Sequence, residues 1–205
     1  MRKELPEINI AGHVGGNQKW LLGDPFMYLG GCAAIVACDL SIYFAEHFGL
    51  NKLYPFDLTQ ISKPNYKKFT KIMKPYLHPR IEGVSELYLF TDGFQQYLNN
   101  RDESRLKMYS LSADESFTTL TQAIIDQIKA NMPVPFLLLQ HKDKSLDDYS
   151  WHWFWISGYV KTETDLNVKV ISYGKAVWFS FHRLWDSGYT RKGGMILFEL
   201  DDINH

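Results

Sequence analysis

The 205-residue chain predicts an α+β fold on three observations. Helix-compatible segments dominate residues 1–131. Short runs rich in aromatic and β-branched residues dominate residues 132–205. The two kinds do not alternate, so the strands are expected to pair with one another in an antiparallel sheet and not through βαβ units. The length suits one domain over residues 1–205, with a mainly helical lobe (1–131) packed on a sheet lobe (132–205).

Residues 11–31 carry Gly12, Gly15, Gly16, Gly23, Gly30 and Gly31 and read as a structured loop. The spacing then predicts a helix over 32–47, apolar on most sides at its start and therefore buried, with Gly49 as its stop. Residues 66–78 and 83–100 predict two further helices. Pro75 and Pro79 punctuate the first, and Gly93 weakens the second. A short strand is expected over 106–111. Ser112 and Glu115 have the spacing of a capping box ahead of a helix that runs to Ala130. Leu120, Ile124, Ile125 and Ile128 would form the core stripe of that helix.

Strands are expected over 135–139, 151–160, 168–173, 176–181 and 194–200. A polar loop over 142–150 and a short helix over 181–185 separate some of them. Alternation along 151–160 puts His152, Phe154 and Ile156 on one face. Trp151, Trp153 and Trp155 fall on the other, where packing against a helix is the expected fate of such a stripe.

Composition narrows the function. Hydrophobic residues at 45% and charged residues at 22% are ordinary for a globular protein. A formal net charge of −1 gives no reason to expect nucleic acid or a membrane as partner. The lysines between 63 and 74 read as a solvated helix face. The first residues lack the apolar core of a secretory signal, and no apolar run approaches the roughly 20 residues of a membrane span. The expectation is a cytoplasmic protein.

Only Cys32 and Cys38 occur, which excludes a disulfide scaffold and suits a reducing compartment. Within one helix they lie about 240° apart around the axis and cannot easily bond to each other. His141 and His152, with Asp147 and Asp148 between them, lack the dense spacing of a metal site. Gly12-x-x-Gly15-Gly16 is not followed by the Lys-Ser of a phosphate loop. No cofactor is expected.

The chemistry centres on Gly30-Gly31-Cys32. A thiol on the first turn of a helix meets free N–H groups and partial positive charge, which favour the nucleophilic thiolate. Seven histidines could serve it: His13, His47, His78, His141, His152, His182 and His205. His152, held on a rigid strand, is the best placed as a base. Cys38 is expected to be an inert core residue.

Cys32, the stretch His152-Trp153-Phe154-Trp155-Ile156-Ser157-Gly158-Tyr159 and the stretch Val170-Ile171-Ser172-Tyr173-Gly174 together resemble the papain-like cysteine peptidase superfamily. The last stretch is similar to the Asn-Ser-Trp-Gly strand of that family. Gly15-Gly16-Asn17-Gln18-Lys19-Trp20 followed by Gly30-Gly31-Cys32 resembles bacterial relatives of the double-glycine leader peptidases. The resemblance spans residues 12–38 and 151–181. It implies Cys32 as nucleophile, His152 as general base and then acid, and a peptide, small amide or acyl substrate handled through an acyl-enzyme.

The family's oxyanion glutamine stands six residues before the cysteine. Phe26 occupies that position here, and Gln18 is the nearest glutamine. The Cys32 backbone N–H is the other candidate oxyanion donor. The family's asparagine falls on Ile171, which cannot accept from an imidazole. Ser172, Asn167 and Asp165 are the alternative orienting groups, and a Cys32–His152 dyad without a third member is a further option. Ala33 follows the cysteine where many relatives have glycine or serine. The readings that follow are a thiol-dependent peptidase or amidase, an acyltransferase on the same fold, or a binding module without catalysis.

Overall fold

The computed structural model describes residues 1–79 and 83–201. In chain order the first elements are β1 (Arg2–Glu4), β2 (Asn9–Ile10), β3 (His13–Val14), α1 (Pro25–Gly30) and α2 (Cys32–Phe48). Next come α3 (Lys63–Met73), α4 (Leu87–Asn100), β4 (Leu106–Ser112), α5 (Phe117–Lys129) and β5 (Val134–Leu138). The chain ends with β6 (His152–Lys161), β7 (Leu166–Ser172), β8 (Lys175–Ser180), α6 (Phe181–Trp185) and β9 (Gly193–Leu200).

The protein is of the α+β class. Its main sheet has the order β4-β9-β5-β6-β7-β8, and β1 also pairs with β6. These pairings are antiparallel. β1 and β4 belong to the first 131 residues yet pair with β6 and β9, so the sheet is not confined to residues 132–205. Open strand edges demand partners, and these two strands supply them.

α2 is the spine. Every residue from Cys32 to Ala45 is buried, as a helix apolar on nearly all sides must be. Each large aliphatic or aromatic side chain it buries contributes about 1.5–3 kcal/mol. The helix ends at Gly49, whose φ of 67° gives the left-handed cap and whose N–H donates to the Phe44 carbonyl. Tyr43 of α2 packs on Trp155 of β6, with ring centroids 6.1 Å apart.

Several expected boundaries move, each for a local reason. α3 begins at Lys63, because Ser62 caps it by accepting from the Asn65 N–H and Pro64 fills its first turn. α5 is capped by Ser116, which accepts from the Thr119 N–H. Ser112 ends β4 opposite Gly194 instead, so the capping box expected there is absent. The loop over 11–31 contains α1, capped by Asp24 with Pro25 at its first position. α4 tolerates Gly93 because a Cβ there would lie 2.2 Å from the Tyr76 carbonyl oxygen. β6 starts at His152, since Trp151 adopts φ 53° and donates its N–H to the Leu139 carbonyl. Trp151 thus leaves the expected tryptophan face, while Trp153 and Trp155 stay buried. No helix among the described residues is long and apolar enough to cross a membrane.

Candidate active site

Three element ends converge. Cys32 is the first residue of α2, His152 the first of β6 and Ser172 the last of β7. Ser172 enters a two-residue hairpin turn in which Tyr173 (φ 53°) and Gly174 (φ 75°) are both left-handed, the geometry that matches strand twist. Residues 14–17 are fastened to this turn. The Val14 N–H donates to Gly174 O (3.2 Å) and the Gly174 N–H to Gly16 O (2.9 Å). Asn17 Nδ2 donates to Tyr173 O (2.8 Å).

A cavity of about 10 Å³ lies where these segments meet, lined among others by Gln18, Cys32, Asp39, His152, Ile171 and Ser172. That is the space of about one water. Among the described histidines, His152 is the one that lines it with Cys32.

Cys32 is 6% exposed and His152 5% exposed, and burial decides their charge states. It pushes the Cys32 thiol up, although the backbone N–H groups of Trp153, Ala33 and Cys32 itself face the sulfur and pull the other way. Burial lowers His152 from 6.5 to about 3. The closed site therefore holds a neutral thiol and a neutral imidazole near pH 7. The expected ease of ionisation at the helix N-terminus is overridden, because desolvation of a buried thiolate outweighs the helix-end N–H groups. Cys38 is also buried, and its thiol is pushed well up, by burial first and then by Asp39.

The His152 ring is held on two sides. Nε2 lies 2.7 Å from Ser172 Oγ. The Tyr173 ring stacks on the imidazole at a 4.6 Å centroid distance and 6° between planes. The Tyr173 hydroxyl lies 3.4 Å from Nδ1 and donates to the Asp148 carbonyl at 2.8 Å. His152 and Cys32 share the cavity without a hydrogen bond between them; the ring's partners are Ser172 and Tyr173.

Of the three candidate orienting groups, the structure brings only Ser172 to the ring. Ile171 also lines the cavity but offers the ring no acceptor, and its side chain and the Asp39 carboxylate both lie against Gly15. Asn167 lies further along β7, opposite Val160 and Ser180. Asp165 sits in the turn before β7, its carbonyl accepting from the Thr162 N–H. Neither lines the cavity.

Gln18 reaches the cavity but does not aim a donor into it. Its Nε2 donates to Tyr28 O at 3.1 Å, because the last carbonyls of α1 have no partner inside that helix. Its Oε1 is buried without a hydrogen bond.

His141 is a satisfied structural histidine. Nε2 meets Arg183 O and Nδ1 accepts from the Asp143 N–H, both at 2.9 Å. Among the described residues no three His, Cys, Asp or Glu side chains converge as a metal set. His205 lies outside the described residues.

Sequence reasoning missed Asp39. This carboxylate on α2, seven residues after Cys32, is 2% exposed. It accepts from Gly16 N–H (2.9 Å), Tyr66 O–H (2.7 Å) and Trp155 Nε1–H (3.2 Å). It thereby ties the glycine loop, α3 and β6 to the spine helix. Burial raises it from 3.8 to about 6 despite these donors. A Cβ on Gly16 would fall 1.9 Å from the Tyr66 hydroxyl, so the chain needs glycine to come this close. The missed signal was a lone acid inside the run Ala37-Cys38-Asp39-Leu40: a charge there is tolerated only with partners.

Comparison with known proteins gives no match to a family model, to a curated protein or to a solved structure.

Proposed function

We propose that the protein is a papain-like, thiol-dependent hydrolase, a peptidase or amidase working through an acyl-enzyme. The observation that carries this reading is the convergence of Cys32, His152 and Ser172 on one cavity, with Ser172 Oγ 2.7 Å from His152 Nε2. In this reading Nε2 carries a proton and donates it to Ser172 Oγ. That leaves Nδ1 as the base. The Cys32 S–H proton passes to Nδ1 as sulfur bonds to the substrate carbonyl carbon, and the carbonyl electron pair moves onto oxygen. When that pair reforms the carbonyl, the C–N bond breaks and the amine leaves with the Nδ1 proton. Water, deprotonated by the same nitrogen, then releases the acyl group and restores the thiol. If an amine takes the place of water, the same steps give acyl transfer.

The N–H groups of Cys32 and Ala33, which face the sulfur, would donate to the oxyanion in this reading. Gln18 would have to give up Tyr28 to join them. The cavity of about 10 Å³ must widen before a substrate carbonyl enters, and opening would rehydrate both groups and move their ionisation back toward ordinary values.

The closed cavity and the two neutral groups also favour a second reading, a binding module that keeps the arrangement without turnover. An activated ester such as p-nitrophenyl acetate separates the two. The hydrolase reading expects a burst of p-nitrophenol and an acetyl adduct on Cys32 by peptide mass mapping. Cys32→Ser should abolish both, and Ser172→Ala should slow acylation by about 10–100-fold. Equal, slow acetylation of Cys32 and Cys38, unchanged by His152→Ala, would leave the binding module.

A further inference from the structure

A second groove, of about 440 Å³, runs between residues 20–27 and α3, within the size range of small-molecule sites. Its two walls differ in chemistry. Trp20, Leu21 and Met27 supply apolar surface, and Lys67 and Lys71 supply ammonium groups. α3 carries Lys63, Lys67, Lys68 and Lys71 and no acid. Among the described residues neither Lys67 nor Lys71 has a carboxylate partner. The one acid of the groove, Asp24, is already committed: it pairs with Lys74 at 2.5 Å and caps α1 through the Met27 N–H.

The aromatic surface is committed as well. Trp20 meets His13 and Tyr66 edge-on, and the Lys63 ammonium lies 4.4 Å from its ring centroid. What remains of the Trp20 surface lines the groove. Beside the groove, Leu22, Phe26 and Leu29 are 76%, 68% and 79% exposed. Single exposed apolar residues are common, and here three large ones fall within eight residues of sequence. An occupant must therefore offer aliphatic surface and negative charge together.

We propose that this groove binds one anionic amphiphile, an acyl chain ending in a carboxylate, with the chain against Trp20, Leu21 and Met27 and the head group between Lys67 and Lys71. The site stands apart from the Cys32 cavity, and its occupancy does not depend on thiol chemistry.

The test is isothermal titration of the full chain, and of Cys32→Ser, with sodium decanoate below its micelle concentration. The expected result is saturable binding of one decanoate per chain by both proteins. Acetate, which has the head group alone, and decyltrimethylammonium, which has the chain with the opposite charge, should bind at least about tenfold more weakly. Two variants probe the two walls. The double variant Lys67→Glu/Lys71→Glu reverses the charge. Gly23→Phe fills the mouth at a position where an added Cβ meets nothing within 4 Å, so it should fold normally. Each should weaken decanoate by about tenfold or more with an unchanged thermal melt. Equal affinity for decanoate and decyltrimethylammonium, or no binding of decanoate, overturns the proposal. So does cosedimentation with phosphatidylglycerol-containing vesicles without decanoate binding, which would make a membrane surface the occupant.

Discussion

Replacing His152 by glutamine removes a group whose protonation the folded chain strongly resists, while keeping a hydrogen-bonding group near the Nε2 position that faces Ser172. Burial holds His152 at about 3 against an ordinary 6.5, and a gap of that size corresponds to about 5 kcal/mol of proton-linked stability. The sign follows from which state takes up the proton. Below the ordinary histidine range the unfolded chain is protonated at this residue and the folded chain is not. The contribution is therefore complete above about pH 6.5 and lost as the pH falls toward about 3, with a slope near 1.4 kcal/mol per pH unit. Urea unfolding of the wild type and of His152→Gln across this range isolates the effect, because every other titrating group is common to both. Between about pH 6.5 and about pH 4.5 the wild type should lose about 2 kcal/mol more than the variant. Parallel stability curves would refute the reasoning: they would mean that water reaches the ring and that the site is open at rest.

Asp39→Asn tests the opposite sign. A carboxyl raised from 3.8 to about 6 contributes stability below its unfolded value that is lost as the pH rises to about 6, so the wild type should fall by about 2 kcal/mol relative to the variant between about pH 4 and about pH 7 in urea melts. Gly16→Ala drives a methyl into the Tyr66 hydroxyl and should cost about 3 kcal/mol by overpacking and by disturbing the Tyr66–Asp39 bond, read as a lowered urea midpoint. Ile35→Asp places an unpaired carboxylate in the buried spine and should remove about 4 kcal/mol or more. Loss of the cooperative thermal transition would report it, and a variant that still melts cooperatively near the wild-type temperature would show the helix to be peripheral.

The sequence was most legible where one strong signal decided the structure. A predominantly apolar run with Gly49 behind it can be little other than a buried helix, and α2 formed as read. β6 and β7 were legible from their β-branched and aromatic content. The short elements were not. β1, β2 and β3 have two or three residues each, too few for a period to appear, and they exist because distant strands offer them edges. At Ser112 the capping spacing competed with a ladder partner in β9, and the ladder won. Of the site, Cys32, His152 and Ser172 were readable as separate candidates. Which oxygen would face the imidazole depended on how β7 is rotated, a property of the assembled sheet. The closure of the cavity, and with it the neutral state of the thiol, follows from packing across elements that no local pattern encodes.

The clasp between the glycine loop and the β7–β8 turn has a consequence for biosynthesis. Asn17 and its acceptor Tyr173 are 156 positions apart, so the spine helix and its thiol leave the ribosome long before their counterpart exists. Contacts of such high sequence separation are slow to form and come late. A nascent chain therefore carries Cys32 without His152, Ser172 and Tyr173 beside it until those residues have been made. Burial of the Cys32 thiol is thus delayed until the β7–β8 turn has been synthesised and has docked on the glycine loop.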